Sequence, residues 1–392
     1  MERKSIIKTN FKTTVPGVRP AKPSCSSSGT IPAGRAVLCG WCILLLLAFS
    51  AQGKTLTWSG SAVPNANWSV SANWGGVGTP ANGDTLIFSG SHTNSFLNTN
   101  NIISLSLSQI QFVGDNTFGV MFDLRGNAFT LTGSILATNA TGTNIIENNI
   151  TVANASELIV VSNSDQLIIK GVLSGSGGVT KAGAGTLTYQ CSGNNTYNGT
   201  TLVNGGTLQF NVSGEDAVSG PLVIGDGSGD FSAVVEDLQN TEMNGGPSVT
   251  INLNGELNLN NFSEPFFSTS LTINQGTIAT LSGTLTLSPN TTVTVEGFPY
   301  VYGHLNLNGG VLTLQGNGFL YLICTMGGNG NILQTGNMSS IWIGANTYSG
   351  NYTANGTGYV ALYNSQALGN VTNAMTLNGT ASAFVDSNVN VT

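Results

Sequence analysis

The sequence predicts an all-β chain, a parallel β-solenoid with an N-terminal cap segment. Three observations predict it. Only 7% of the 392 residues are charged, while 52 are glycine. Outside the N-terminal apolar run, no stretch keeps apolar residues at helical spacing for more than one turn. A frame rich in Gly, Asn and Thr occurs twice, at residues 171–210 and 327–368.

The composition favours strands over both disorder and helices. An apolar fraction of 40% is that of a folding chain rather than a solvated disordered one. The exposed faces of helices normally carry Lys, Glu and Arg, which are scarce here. Abundant Thr, Val, Leu and Asn suit strands, with Gly and Asn supplying the turns.

The repeated frame describes a building unit rather than a reaction. It reads G-x-G-x-[VI]-x-[KQ]-x-G, then N-T-Y-[NS]-G, then a strand that begins at N-G. It contains no nucleophile, no metal-ligand cluster and no phosphate-binding loop. A shorter unit, L-N-G-E-L-N-L at 253–259, recurs as L-S-G-T-L-T-L at 281–287 and as L-N-G-G-V-L-T-L at 307–314.

Before the first copy and between the two copies, short apolar segments alternate with small polar links, and each is expected to be a strand. The segments before the first copy are Ile102-Ile103, Leu105–Leu107, Ile110–Phe112, Phe129–Leu131, Ile145-Ile146, Ile150–Val152, Leu158–Val161 and Leu167–Ile169. Those between the copies include Val249–Leu253, Leu257–Leu259, Leu271–Ile273, Leu281, Leu285–Leu287, Val293–Val295, Leu305–Leu307 and Val311–Leu314.

Winding into a coil allows such short strands to bury their apolar faces in a shared core. A short strand with one apolar face cannot bury that face alone, so successive copies stack and share a continuous interior. Backbone groups then pair with the coils above and below, about 4.8 Å away. Gly and Asn suit the corners because they tolerate positive φ, and equivalent Asn residues form ladders. The rival, an antiparallel sandwich, needs two-residue hairpin turns and no large repeat.

Residues 1–50 are predicted to be a signal peptide with an extended basic lead. The apolar run Ala36–Phe49 is followed by a small-x-small pattern that predicts cleavage near Ser50. The alternative is a membrane anchor, but an apolar core of about 14 residues is shorter than the roughly 20 that span a bilayer. The cysteines that would leave with the signal are Cys25, Cys39 and Cys42.

Residues 51–100 form a Trp-rich segment that is predicted to cap the first coil. Trp58, Trp68 and Trp74 lie there among Asn, Ser and Gly. A solenoid needs a distinct cap over its open end. The alternative is that the three rings stack on sugars outside the cell.

Charge and cysteine content limit the partners and the redox chemistry. After Ser50 only four basic residues remain against 17 acids, a balance of about −13, so clustered phosphate contacts and nucleic acid are excluded. Cys191 and Cys324 remain in the exported part. An oxidising exterior permits a bridge, but their separation favours two isolated buried thiols.

Residues 215–237 form the one acidic patch, and they carry the best case for catalysis. Glycoside hydrolysis needs two carboxylates about 5–9.5 Å apart in one cleft. A polysaccharide lyase would also need a basic residue beside the acids, and the nearest, Lys181, lies outside the patch. The candidate carboxylates are Asp216, Asp226, Asp230, Glu236 and Asp237.

Metal binding is predicted to be absent. The loop from Asp226 to Asp230 lacks the closing Glu of a twelve-residue calcium loop. The run that begins at Gly327 has Asn331 where a calcium-binding β-roll has Asp. His92 and His304 are far apart in the sequence and have no obvious partner nearby. We therefore expect no catalytic, cofactor or metal site.

The segment Gly175–Leu208 resembles the autotransporter-associated β-strand repeat of bacterial secreted and outer-membrane passenger proteins. The Trp-rich segment resembles the usual start of such passengers, and Gly220–Gly283 resembles the region between repeats. The resemblance implies a right-handed parallel β-helix, secreted or displayed at the surface of a Gram-negative-type cell. The family has no shared catalytic residues to carry over.

The predicted function is therefore that of an exported structural or adhesive passenger, not an enzyme. The alternative is a carbohydrate-active β-helix, a polysaccharide lyase or hydrolase, that uses the acidic patch. Expected partners are surface glycans or other cell-surface proteins, with no nucleic acid and no small-molecule substrate. Because the chain ends at Thr392 in mid-pattern, we expect a fragment of a longer gene, whose uncapped last coil would favour end-to-end self-association.

Overall fold

A computed structural model describes residues 53–90, 96–114, 122–139, 142–162, 165–214, 216–228 and 232–387. Over these ranges the chain forms 31 strands and one 3₁₀ turn at Ser71–Trp74, with no α-helix. The described residues thus include no helical segment with the length and apolar character that crossing a bilayer requires.

The strands are short except for two. Numbered in chain order, they are β1 Thr55–Trp58, β2 Asp84–Ser89, β3 Leu97–Asn100, β4 Leu105–Val113, β5 Asp123–Gly126, β6 Phe129–Ala137, β7 Gly142–Ile146, β8 Ile150–Val152, β9 Glu157–Val161, β10 Asp165–Ile169, β11 Leu173–Ser174, β12 Val179–Ala182, β13 Thr186–Tyr189, β14 Thr201–Val203, β15 Gly206–Phe210, β16 Leu222–Ile224, β17 Ala233–Asp237, β18 Val249–Ile251, β19 Gly255–Asn258, β20 Glu264–Phe266, β21 Ser270–Asn274, β22 Thr277–Ala279, β23 Leu285–Leu287, β24 Thr292–Glu296, β25 Tyr300–Gly316, β26 Phe319–Gln334, β27 Ser339–Trp342, β28 Tyr352–Gly356, β29 Tyr359–Leu362, β30 Met375–Gly379 and β31 Ser382–Val385.

The strands pair in parallel, each with its counterpart one coil away, and they build three ladders over about 13 turns. Face A runs from β1 through β2, the C-terminal halves of β4 and β6, β9, β12, β14, β16, β18, β21, β24 and β28 to β30. Face B runs from β3 through β5, β7, β10, β13, β15, β17, β19, β22, β27 and β29 to β31. Face C contains the N-terminal halves of β4 and β6 together with β8, β11, β20 and β23. The long strands β25 and β26 turn corners and contribute to all three faces.

Alternation within each strand places one set of side chains inside the coil. Leu187 lies in register with Leu208, and Tyr189 with Phe210, and all four side chains are buried. Their neighbours on the same strands point outward. The predicted all-β, parallel β-solenoid is therefore confirmed.

The tryptophans of the N-terminal segment belong to the core. Trp58, Trp68 and Trp74 are at most 1% exposed, and the ring of Trp74 packs edge-on against both others. The indole N–H of Trp68 donates to Asn98 Oδ1 at 2.7 Å, and that of Trp74 donates to the Trp68 carbonyl at 2.8 Å. Sugar stacking needs an exposed ring face, so the burial contradicts that alternative. The capping role remains a prediction.

Two of the expected strands are wrong. The structure places Ile102-Ile103 and Leu281 in turns, and Ser104 and Leu281 adopt φ of 54° and 55°. The wrong prediction at Leu281 arose from the short repeated unit, because its copies lie at three different corners of the coil. Residues 253–254 turn the chain from face A to face B, 281–283 from B to C, and 308–310 from C to A.

The predicted signal peptide, its cleavage near Ser50, and Cys25, Cys39 and Cys42 lie outside the described residues. His92 and Asp230 lie outside them too. The predicted division into a signal peptide at 1–50, a cap segment at 51–100 and a parallel β-helix at 101–392 remains a prediction.

Candidate functional site

The asparagine of the N-T-Y-[NS]-G motif bonds one coil to the next in both copies of the frame. Asn195 Oδ1 accepts from the Leu173 amide at 2.8 Å, and its Nδ2 donates to the Ala217 carbonyl at 2.9 Å. Asn346 does the same with the Met326 amide and the Ala367 carbonyl, both at 2.7 Å. Each side chain is buried and spans three successive coils. The first asparagine of the motif therefore bonds coil to coil in both copies.

The Lys/Gln position of the frame also forms buried hydrogen bonds to the backbone, at the corner between faces A and B. Lys181 is fully buried, and its Nζ donates to the carbonyls of Ala182, Gly183 and Gly205 at 3.1, 2.7 and 2.8 Å. Burial lowers the pKa of this lysine to about 8. Its three carbonyl partners match the three hydrogens of an ammonium group.

In the second copy the equivalent residue is Gln334, which is 2% exposed. Its Nε2 donates to the Met338 carbonyl at 2.9 Å, and its Oε1 accepts from the Tyr352 hydroxyl at 2.6 Å. Lysine and glutamine thus both use N–H groups to satisfy buried carbonyls at this corner. Lys181 is not placed to act as a catalytic base.

The predicted acidic patch does not converge on one cleft. Asp216 lies at a turn, where it accepts from Asn194 Nδ2 at 2.9 Å and from the Gly245 amide. Glu236 points outward on face B and accepts from Gln209 Nε2 at 2.8 Å, while its neighbour Asp237 points inward and is fully buried.

Asp226 lies on an exposed turn between faces A and B. Its Oδ1 accepts from the amide and hydroxyl of Ser228 at 2.8 and 2.7 Å, which lowers the pKa of the carboxyl. It borders a shallow pocket of ≈ 230 Å³ with Ala182, Gly183, Ala184, Asn204 and Gly205, and no second carboxylate lines it. Within the described ranges no group of three His, Cys, Asp or Glu side chains is arranged to hold a metal ion.

A buried set of carboxyls lies inside the same coils, and the sequence patch indicated only one of its members. Glu242 accepts from the Val212 amide at 3.0 and 3.2 Å, and Glu264 accepts from the amides of Glu242 and Met243 at 2.8 and 2.9 Å. Asp237 forms no hydrogen bond through either carboxyl oxygen.

Burial controls the ionisation of these acids. Loss of hydration raises the pKa of Glu242 to about 8 and that of Glu264 to about 7. Burial, together with the charges of Glu264, Glu242 and Glu236, raises the pKa of Asp237 well above its ordinary value. Sequence reasoning missed Glu242 and Glu264, because Glu242 lies in a turn and Glu264 begins β20, and only the coil register defines that both point inward.

The remaining candidates are ordinary structural residues. Cys191 and Cys324 are free and buried, which confirms the prediction of two isolated thiols. Burial raises the pKa of both, that of Cys324 to about 12. His304 Nδ1 lies 2.5 Å from the Thr325 hydroxyl of the next coil.

The outward residues of face B change from polar to aromatic along the solenoid. One column, read from the N-terminal end, runs Thr188, Gln209, Glu236, Asn258, Ala279, Tyr302, Ile323, Ile343 and Tyr363. The neighbouring column carries Tyr300, Tyr321 and Ile341 on the last of these coils. We call seven of these residues the aromatic strip: Tyr300, Tyr302, Tyr321, Ile323, Ile341, Ile343 and Tyr363.

The strip is specific to face B. On the same coils, face A presents Thr294, Gln315, Leu333 and Thr353, and face C presents Asn306. Sequence reasoning missed the strip, since its members are spaced about 20 residues apart and align only through the coil register.

The fold and the inter-coil bonds define a parallel β-solenoid whose recurrent residues serve stacking. The passenger-associated-transport-repeat family matches residues 179–210 by its sequence model, which confirms the resemblance noted for the first copy of the frame. A solenoid with this repeat fits an autotransporter passenger, and the match implies secretion or a cell-surface location. Comparison with curated proteins and with solved structures gave no match.

Proposed function

We propose that this chain is the exported, non-catalytic passenger part of a bacterial surface protein, and that it acts as a structural and adhesive solenoid. The observation that supports this most is that the polar side chains of the repeat form hydrogen bonds inside the solenoid. Asn195, Asn346, Lys181 and Gln334 are all buried and bonded within or between coils. A repeat whose polar residues point inward builds a long surface, and those residues are used to hold the coils together.

The proposal includes the absence of catalysis. Paired carboxylates must face one reacting bond. Asp216 holds two turns together, Asp226 bonds Ser228, and Asp237 is inside the coil. The positions of these acids therefore favour structural roles over the lyase or hydrolase alternative.

Export is tested by expressing the full chain in a Gram-negative host. We expect the protein outside the cytoplasm, in the periplasm, in the medium or on the outer surface, with a new N-terminus close to Ser50. N-terminal sequencing and surface labelling measure both. Retention of an uncleaved chain in the cytoplasm would contradict the proposal.

Catalysis is tested by incubating the purified chain with neutral and acidic polysaccharides and assaying reducing and unsaturated sugar ends. We expect no release above a heat-treated control. The informative variants are Asp226→Asn and Glu236→Gln, whose side chains lie on the outside, so that neither is expected to unfold the chain. Sugar release by the wild-type chain that either variant abolishes would establish the enzyme alternative.

The proposed partners are surface glycans or other cell-surface proteins. End-to-end association between copies is proposed as a second contact. Sedimentation of the purified chain across a concentration series measures it.

A further inference from the structure

The aromatic strip lies in a region without formal charge. From Gly297 to Val385 the sequence has no Asp, Glu, Lys or Arg, although the whole chain carries a net charge of −7. Tyr302, Ile343 and Tyr363 are 39%, 39% and 45% exposed. Contiguous exposed apolar surface of this kind marks an interaction site on a soluble protein.

The strip ends in a shallow groove between two tyrosines. Tyr321 stacks on Tyr300 of the previous coil, with ring centroids 4.8 Å apart. The next coil places the smaller Ile341 beside it, and Tyr363 stands one coil further along. A depression of ≈ 370 Å³ is lined by Tyr321, Ile341, Ile343 and Tyr363. The groove has one ring on each side and an aliphatic floor, and the two tyrosines are about two coil spacings, roughly 9–10 Å, apart along the solenoid axis.

The area is too small for a stable contact between two copies. Four coils at about 4.8 Å and two columns that are each about 7 Å wide give a strip of roughly 270 Å². A standard protein interface needs about 800 Å² on each side. The strip is long and narrow, so its shape suits a linear ligand.

An extended peptide is a poorer fit than a glycan. Peptides that add to sheets pair with an exposed strand edge. Here β26 pairs on both sides, with β25 and β27, and β27 pairs with β26 and β29. The groove therefore presents side chains and no backbone edge.

The absence of charged side chains from the groove favours a neutral glycan over an anionic one. The groove has tyrosine rings and hydroxyls but no cation to attract a carboxylate or sulfate, and the chain as a whole is acidic. Rings of this kind bury the apolar faces of sugars, and tyrosine hydroxyls supply hydrogen bonds at the rim.

We propose that the groove between Tyr321 and Tyr363 binds a neutral polysaccharide chain. This inference rests on the proposed role as a surface passenger and assigns it a ligand class. The groove holds one or a few sugar units over Ile341 and Ile343, with the tyrosines on either side.

The test is retention of the purified full chain on insoluble cellulose, chitin and starch, with polygalacturonate gel as the anionic comparison. We expect retention on at least one neutral polymer and none on polygalacturonate. The variants Ile343→Thr and Tyr363→Thr introduce the residue found at Thr188 in the same column, so strand propensity is kept. Each should weaken retention at least about tenfold.

The matched control is Phe298→Thr, which removes an aromatic side chain that is 54% exposed but does not line the groove. It should retain wild-type binding, and thermal unfolding should show all three variants folded. The inference would be overturned if the chain were retained on no neutral polymer, or if Phe298→Thr lost as much retention as the groove variants. It would also be overturned if the groove variants abolished a contact between two copies or with liposomes. Export and N-terminal processing are measured separately, so the proposed function stands or fails independently of this result.

Discussion

At the residue scale, Lys181 and Gln334 occupy the same position of the two repeat copies with different functional groups. Both side chains are inside the coil and donate to carbonyls that the corner leaves without strand partners. A buried carbonyl without a donor destabilises a fold by about 1–3 kcal/mol. The shared requirement is an N–H donor of sufficient reach, rather than a charge.

This account predicts a graded response to substitution at Lys181. Lys181→Met should lower the free energy of unfolding by about 2–4 kcal/mol, since its carbonyl partners lose their donor. Lys181→Gln should recover part of that loss by analogy with Gln334. Urea titration followed by circular dichroism measures the order. Equal midpoints for the two variants would show that the hydrogen bonds contribute little.

At the scale of elements, the corners set how closely coils approach. A Cβ at Gly199 would overlap the carbonyl oxygen of Gly177 in the previous coil. At Gly193, in the same repeat, the nearest atom would be Val172 Cγ2 at 3.8 Å, an ordinary contact. Two glycines of one motif therefore have different roles, although their sequence surroundings are similar.

Gly199→Ala and Gly193→Ala form a matched pair. The first should destabilise the chain by more than about 2 kcal/mol because backbone atoms must move apart. The second should change stability by less than about 1 kcal/mol, in either direction. Thermal unfolding compares them. Similar melting temperatures would contradict the close packing at this corner.

The sequence predicted the existence of coils better than their corners. Strands such as Phe129–Leu131 and Leu167–Ile169 were recognisable because their apolar residues alternate or run together. The unit L-S-G-T-L-T-L was read as a strand pair, but Leu281 begins a turn. Local sequence does not encode which of the three corners a Gly-Asn turn forms, because that depends on the register with coils about 20 residues away.

At the scale of the whole molecule, charge and apolar surface are separated along the solenoid. The buried carboxyls Asp237, Glu242 and Glu264 lie in the middle coils, and the coils from Gly297 to Val385 carry no formal charge. Low charge was evident from composition, but its arrangement was not. The aromatic strip and the buried acids both arise from register, which no single segment contains.

The buried acids predict an unusual dependence of stability on pH. Folding raises the pKa of Glu242 from 4.5 to about 8 and that of Glu264 from 4.5 to about 7. The folded chain therefore binds these protons more tightly than the unfolded chain, and protonation favours folding. Their stabilisation is complete below about pH 4.5 and is lost as pH rises to about 8. The free energy of unfolding should fall by a few kcal/mol, in order of magnitude, from pH 5 to pH 8.

Urea titrations at pH 5 and pH 8 measure this slope. The double variant Glu242→Gln, Glu264→Gln cannot ionise at these positions and should make the slope shallower; the part that remains comes from Asp237, whose pKa burial also raises. The control Glu147→Gln alters an acid on the outer surface, beside Arg125 and Lys170. An unchanged slope in the double variant would assign the pH dependence to other groups.

The central claim is that the recurrent residues of the repeat bond coil to coil. Hydrogen exchange at two backbone amides tests it most directly, because Asn195 accepts from Leu173 and Asn346 from Met326. Asn195→Ala should accelerate exchange at the Leu173 amide and leave Met326 protected, and Asn346→Ala should do the reverse. Unchanged protection at both amides in both variants would contradict the claim.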